Sequence, residues 1–393
     1  MDTPFYPPRR TLMGPGPSDV SPRVLEALSR DTIGHLDPQF IQLMDEVKRL
    51  LQYAFDTKNE MTFAVSAPGS AGMECCFVNL VEPGDKVVVA QNGAFGGRMK
   101  ENVERAGGEA IMVMDDWGHA VDTDKVAEAL KANPDAKILA FVHAETSTGA
   151  LSDAETLCTL AKENDCLTIV DAVTSLGGSP LHVDDWGIDA IYSGTQKCLS
   201  CVPGISPVSF SNRALDVIRQ RETKVQSWFL DINLLLGYWG GETKRAYHHT
   251  APVNAMYALH ESLTILKNEG IEKAWNRHHR NHGALKAGFE AMGMNFIVDE
   301  SSRLPQLNAV TIPEGVDEAQ VRSQLLDGYS LEIGAGLGSL AGKIWRVGLM
   351  GHSSTPKNVF LCLGAMDAVM TDMGAPINSG VAVKAARAFY DAV

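Results

Sequence analysis

CLTIVDAVTSLGGSPLHVDDWGIDAIYSGTQK, residues 166–197, is the stretch on which the reading of this chain turns. Its first half is an apolar run, Leu167 to Val170, closed by Asp171. A Gly-rich loop follows, then a second apolar run, Ile188 to Tyr192, that ends in Ser193-Gly194-Thr195-Gln196-Lys197. Short apolar runs bounded by Gly, Ser and Pro read as buried strands. An acid at the carboxyl end of one strand and a lysine just past another make a pair that suits an aldehyde cofactor, pyridoxal phosphate. The amine can condense with the aldehyde, and the carboxylate can keep the ring nitrogen protonated so that the ring accepts electrons. The plainer alternatives are a helix-capping role for Asp171 and a solvated loop position for Lys197.

The chain before this stretch alternates in a way that gives the pair a place in a fold. Apolar runs at Met61–Val65, Lys86–Ala90, Glu109–Met114, Lys137–Val142 and Cys166–Val170 are separated by helix-like segments long enough for crossovers. Asp37-Pro38 opens one helix, on which Phe40, Met44, Val47, Leu51 and Phe55 recur at steps of three and four. Ser152-Asp153-Ala154-Glu155 has the pattern of a capping box at the start of another. The expected fold is α/β: a large, mostly parallel sheet covered by helices, with ligands at the carboxyl ends of the strands.

Three more loops fall at those ends. Ser66-Ala67-Pro68-Gly69-Ser70-Ala71-Gly72 joins a strand to a helix and could cradle a phosphate with free N–H groups, or be a tight turn and nothing more. Asn92-Gly93-Ala94-Phe95-Gly96 sets an aromatic among glycines, suited to stacking on a flat ring or simply to packing in the core. His143-Ala144-Glu145-Thr146-Ser147-Thr148-Gly149 offers hydroxyls that could bind or cap.

Composition narrows the class. With 393 residues, 45% hydrophobic and 21% charged, the chain is an ordinary globular protein with room for two domains. Its net charge of −14, with no basic block longer than Arg9-Arg10 or Lys244-Arg245, argues against nucleic acid. No run is apolar enough for a membrane span and MDTPFYPPRR has no signal-peptide core, so a cytoplasmic protein is expected. Seven cysteines point to reduced thiols, and Cys198-Leu-Ser-Cys201 reads as two small residues packed beside the lysine loop rather than a zinc or redox motif. His278, His279 and His282 sit at helical spacing; a solvated helix face is expected there, and no metal site.

Taken together in order, Gly14-Pro15-Gly16-Pro17, Glu82-Pro83-Gly84-Asp85, Glu145-Thr146-Ser147-Thr148-Gly149, Val170-Asp171 with Ser175-Leu176-Gly177-Gly178, Tyr192 to Lys197, Tyr247-His248-His249-Thr250 and Trp345-Arg346-Val347-Gly348-Leu349 are specific. Over nearly its whole length the chain resembles the alanine-glyoxylate and serine-pyruvate aminotransferases of class V, whose fold is the fold-type I of pyridoxal phosphate enzymes. The resemblance implies that Lys197 carries the cofactor and Asp171 faces its ring nitrogen. It implies phosphate contacts from Gly69 and Ser70, polar contacts from Thr146 and Gln196, and a stacking role for Phe95. Tyr247 and Thr250 would reach the phosphate from the other subunit of a homodimer. Arg346 would anchor the substrate carboxylate, with Gly16 of the cramped Gly-Pro turn lining the substrate side. Pro68 departs from the serine or glycine common in that loop and removes one N–H donor.

The implied activity is ping-pong transfer of an amino group from alanine or serine to glyoxylate or pyruvate. Alternatives within the class are ureidoglycine-glyoxylate and aspartate-glyoxylate aminotransferases. Cysteine desulfurases and related lyases share the layout, but they usually carry His before the lysine and a reactive Cys on a later loop. Here Gln196 precedes Lys197 and Cys362 falls in an expected helix. A silent α/β scaffold is the rival from outside enzymology. The expected organisation is an N-terminal arm over 1–17, a large domain over 18–268 and a small α/β domain over 269–393. The helix expected at Ala251–Leu266 leads into this small domain, where a helix at Ile271–Met292 is followed by strands at Ala309–Ile312 and Ile344–Val347 and helices near Glu318–Leu326 and after Pro356.

Overall fold

The computed structural model describes residues 3–240 and 245–392; the first two residues of the arm, Lys244 of the basic pair and Val393 lie outside them. Seven strands form the central sheet: β1 (Met61–Val65), β2 (Lys86–Gln91), β3 (Glu109–Met114), β4 (Ala136–Val142), β5 (Leu167–Asp171), β6 (Ala190–Tyr192) and β7 (Ser206–Phe210). Their spatial order is β1-β7-β6-β5-β4-β2-β3. All neighbours run parallel except β7, which is antiparallel to both β1 and β6. Strands β1, β4 and β5 are buried along nearly their whole length, which is why they read as unbroken apolar runs rather than alternating ones. At the edge, β3 is only partly buried and Met114 is exposed.

The helix Pro38–Phe55 starts where its proline predicts, with the Asp37 carboxylate accepting from Gln39 N, and its spaced residues Phe40, Met44, Val47, Leu51 and Phe55 are fully buried. The expected capping box is corrected. Asp153, not Ser152, caps Ala154–Glu163, accepting from Thr156 N, while the Ser152 hydroxyl accepts from Val121 N in the next loop. A one-residue offset in the N-cap is enough to break the S-x-x-E reading.

Beyond the helix Val253–Glu269 the chain turns at Gly270 into the long helix Ile271–Ala291. There follows a three-stranded antiparallel sheet of β8 (Leu307–Thr311), β9 (Gly334–Ala335) and β10 (Ile344–Gly348), with β10 in the middle. Helices Glu318–Tyr329, Pro356–Asp372 and Ala382–Ala392 complete this part. The apolar interior falls into two main clusters: one around the large sheet, reaching from Val24 to Ala274, and one that joins Met13 to residues from Ala284 to Ala386. Thr11–Leu12 pairs in parallel with Leu331–Glu332, so the end of the arm is stitched to the second cluster, while residues 3–9 are exposed.

The solvated histidine face is also corrected. His278 is fully buried, bonding through Nδ1 to Ala274 O and accepting from Gly351 N through Nε2, and His282 bonds to Asn308. Only His279 is exposed. His278 ties the long helix to the loop after β10 and His282 ties it to β8, and burial pushes His278 down to about 3 and His282 to about 4, so both are neutral.

Candidate active site

Strand register brings the quoted loops together. Val142 is opposite Asp171 and Asp171 opposite Tyr192, so β4, β5 and β6 end level. Val65, the last residue of β1, pairs with Ser206, the first of β7, which places the Ser66–Ser70 loop beside the return from the lysine loop. Antiparallel β7 is what makes this possible. It turns the segment from Ser193 to Ile205 into a tethered loop at the same sheet edge where the parallel strands end.

Asp171 is buried, its Oδ1 accepting from Val173 N at 2.8 Å and its Oδ2 from the Tyr192 hydroxyl at 2.8 Å. Burial outweighs those donors and pushes the carboxyl up to about 7, while Lys197 pulls in the opposite direction. Such a carboxylate is short of positive charge, and a protonated ring nitrogen would supply it. Lys197 donates to the carbonyl of Pro15 and is pushed down to about 8, first by burial and then by Arg346. An amine that sheds its proton near neutrality is a competent nucleophile and base. Gly16 lies against it at φ +110°, and a Cβ there would stand 2.5 Å from the lysine nitrogen.

Arg346 comes from the middle of β10. Its Nε donates to Ala335 O at 2.7 Å and one terminal nitrogen to Thr146 O at 3.2 Å. Burial pushes it down to about 10, with Glu145 pulling the other way, so it stays charged at neutral pH. Thr146 is buried with its hydroxyl bonded to that of Thr174, in the loop after Asp171. Phe95 is half-buried at the start of the helix Ala94–Arg105, with the Arg98 guanidinium 4.8 Å from its ring centre.

Pro68 is the N-cap of the helix Gly69–Leu80, and no side chain caps that helix. Gly69 is buried with Gly194 Cα 3.6 Å from where its Cβ would be, so the two loops touch, and Ser70 is exposed in the first turn. The side-chain oxygen of Gln196 is buried without a partner among the described residues. An uncapped helix start, a buried amide lacking a partner, a carboxyl pushed up and a lysine pushed down together fit a group with a phosphate, a polar ring and a carbonyl carbon. Tyr247 and Thr250 are not brought to this site; both are exposed, and the Tyr247 ring lies 5.5 Å from His35. Their neighbour His249 does reach it, bonding Ser66 at 2.8 Å.

Two contributors were given no role from the sequence. Tyr192 holds Asp171, and the signal available was that both residues close adjacent strands. Glu145, fully buried, holds the backbone of the Phe95 loop. All seven cysteines are buried and free, with Cys362 inside the helix Pro356–Asp372 and Cys198 against Thr174 O, so no thiol is presented as a desulfurase nucleophile would be.

Comparison with known proteins gives this site its family. The class-V aminotransferase model matches residues 14–353, and the chain belongs to the class-V aminotransferases: it is a transaminase of fold-type I. It is 40% identical to the alanine–glyoxylate aminotransferase of Rattus norvegicus, over 91% of this chain and 87% of that one. Among solved structures, an alanine–glyoxylate aminotransferase from Nostoc sp. superposes with a TM-score of 0.92 at 44% identity, covering 94% of this chain and 97% of the other. A ureidoglycine-glyoxylate aminotransferase from Bacillus subtilis superposes with a TM-score of 0.96 at 37% identity, covering 98% and 99%.

Proposed function

We propose that the protein is a pyridoxal phosphate-dependent aminotransferase that moves the amino group of alanine or serine to glyoxylate, or to pyruvate, and acts as a homodimer. The observation that carries the reading is geometric: Asp171 is held by the Tyr192 hydroxyl at the end of β5, Lys197 donates to the Pro15 carbonyl, and Arg346, from the smaller sheet, donates to Thr146 O in the loop after β4. In this reading Asp171 would hold the ring nitrogen, Gly69 and Ser70 the phosphate, Thr146 and Gln196 would make polar contacts to the group, and Phe95 would stack on its ring. Tyr247 and Thr250 complete the phosphate site of the partner subunit. The division of the chain near residue 268 separates the lobe that carries Lys197 from the lobe that carries Arg346.

When bound, pyridoxal phosphate supplies a carbonyl carbon for the substrate nitrogen and a ring that draws electrons from the neighbouring carbon. Arg346 binds the substrate carboxylate in a planar fork and fixes which bond of the alpha carbon faces Lys197. Lys197, near neutrality in pKa, takes the proton from that carbon and returns it at the next position. Asp171 stays ionised beside a cation and holds the ring nitrogen's proton. The return half uses the same groups in reverse on a 2-oxo acid. The turn around Gly16, in contact with Lys197, leaves little room and favours a short side chain on the donor.

The test is visible absorption of protein supplied with pyridoxal phosphate, then alanine, then glyoxylate. A band bleached by alanine and restored by glyoxylate supports the reading, with Lys197→Ala losing at least about a thousandfold in turnover. A protein that never takes up a band, or a Lys197→Ala variant with full activity, sinks it. The similarity to the Bacillus subtilis relative, over almost the whole of both chains, favours ureidoglycine as a second donor to assay beside alanine, serine and aspartate.

A further inference from the structure

Glu145 is a fully buried carboxylate with three donors around it. Its Oε1 accepts from Ser147 N at 3.0 Å and from the Ser147 hydroxyl at 2.6 Å, and its Oε2 from Phe95 N at 3.3 Å. The Ser147 hydroxyl in turn accepts from Ala94 N at 3.0 Å. Ala94 and Phe95 open the helix Ala94–Arg105, whose own N-cap position is Gly93 and has no side chain to offer. Two N–H groups of that first turn, those of Ala94 and Phe95, are therefore satisfied by the loop after β4, and an anion at a helix start is favourably placed. Gly93 has no space for a Cβ because the Glu145 side chain occupies it.

The residue next to Glu145 binds the other side of the site: Thr146 O accepts from Arg346. Glu145 and Thr146 thus tie the wall bearing Phe95 to the guanidinium of the second lobe. Every hydrogen-bond partner of the Glu145 carboxyl is a donor, which is the environment of an ionised group. Burial dominates and leaves its pKa raised, against the pull of its donors and of Arg346.

We propose that Glu145 is a positioning residue with two tasks: its carboxylate fixes the Phe95 loop, and its charge balances Arg346 until a substrate carboxylate arrives, so that substrates and products exchange readily. The proposal rests on the aminotransferase reading for its second task only. A buried anion near Arg346 opposes the binding of another, and its removal tightens substrate while loosening the wall on which catalytic geometry depends.

The experiment is Glu145→Gln in the full chain purified with pyridoxal phosphate, beside Glu145→Asp, which keeps the charge. Hydrogen exchange by mass spectrometry is expected to be roughly tenfold faster at amides 93–97 in Glu145→Gln than in the parent. The KM for the 2-oxo acid is expected to fall roughly three- to tenfold while kcat also falls, and Glu145→Asp is expected to hold the parent KM. A purely structural role would not lower KM. Unchanged exchange at 93–97, or a KM that stays level or rises, overturns the proposal. A parent protein without transaminase activity would instead overturn the function reading, and the exchange comparison would still judge the first task.

Discussion

Asp171 is a residue that costs the empty fold stability. Its pKa stands at about 7 against an ordinary 3.8, so the folded chain resists its ionisation. A raised acid favours the fold fully only below its unfolded pKa, and that advantage is lost as pH rises through the window from about 4 to about 7. Asp171→Asn removes the cost while leaving groups that can bond Val173 N and the Tyr192 hydroxyl. The cofactor-free variant is expected to melt higher than the parent at pH 8, by a few kcal/mol at most, with the gain shrinking by about 1.4 kcal/mol per pH unit toward pH 4 and activity lost throughout. Thermal melts across pH check it; a variant that melts lower than the parent at pH 8 would refute the assignment of burial as the dominant effect. Lys197 has the opposite sign: its depressed pKa adds stability above about 10.5 that is lost as pH falls through about 8.

Among elements, the turn at Gly14–Pro17 is the one whose geometry constrains chemistry most directly. At φ +110° with the lysine nitrogen against it, Gly16 has neither the backbone nor the space for a side chain. Gly16→Ala is expected to lower kcat/KM at least about tenfold, with far-UV circular dichroism unchanged, because the strain falls on the lysine rather than on a core. Six of the seven strands of the central sheet are legible in their apolar runs, because a strand covered by helices shows itself locally. The Ser206–Phe210 strand was not: SPVSF is short, with a proline and two serines, and only its pairing on both sides makes it a strand. The site followed the same division. Asp171 and Lys197 were readable from position at strand ends, whereas the parts of Tyr192, Glu145 and the Pro15 carbonyl depend on register and on contacts across long stretches of chain. Of the long helix's histidines only His279 is solvated as expected; His278 and His282 are covered by Gly351 and Asn308, and a helix of mixed polarity gives no local sign of which turn a distant segment covers.

For the whole molecule, the surface points to a second copy. Phe5 and Tyr6 are 85% and 82% exposed, Tyr247 is 64% exposed, and Trp228, stacked on His248, is 63% exposed, more aromatic surface than a solitary chain has reason to keep. Sedimentation is expected to give a dimer, and deletion of residues 1–9 to weaken it at least about tenfold. If the deleted chain dimerises as well as the parent, the arm is not part of the interface. Tyr247→Ala is expected to release pyridoxal phosphate faster on dialysis while leaving each chain folded.

The antiparallel return that builds the lysine loop also sets a timetable for synthesis. Met61–Val65 is fully buried and its sole sheet partner among the described strands is Ser206–Phe210, some 140 residues later. At ribosomal speeds of about 5–20 residues per second, the first strand waits roughly 7–30 seconds before a partner exists. The loop that carries Lys197 is therefore assembled only after more than half the chain has been made, and the nascent protein carries an apolar, unpaired strand until then.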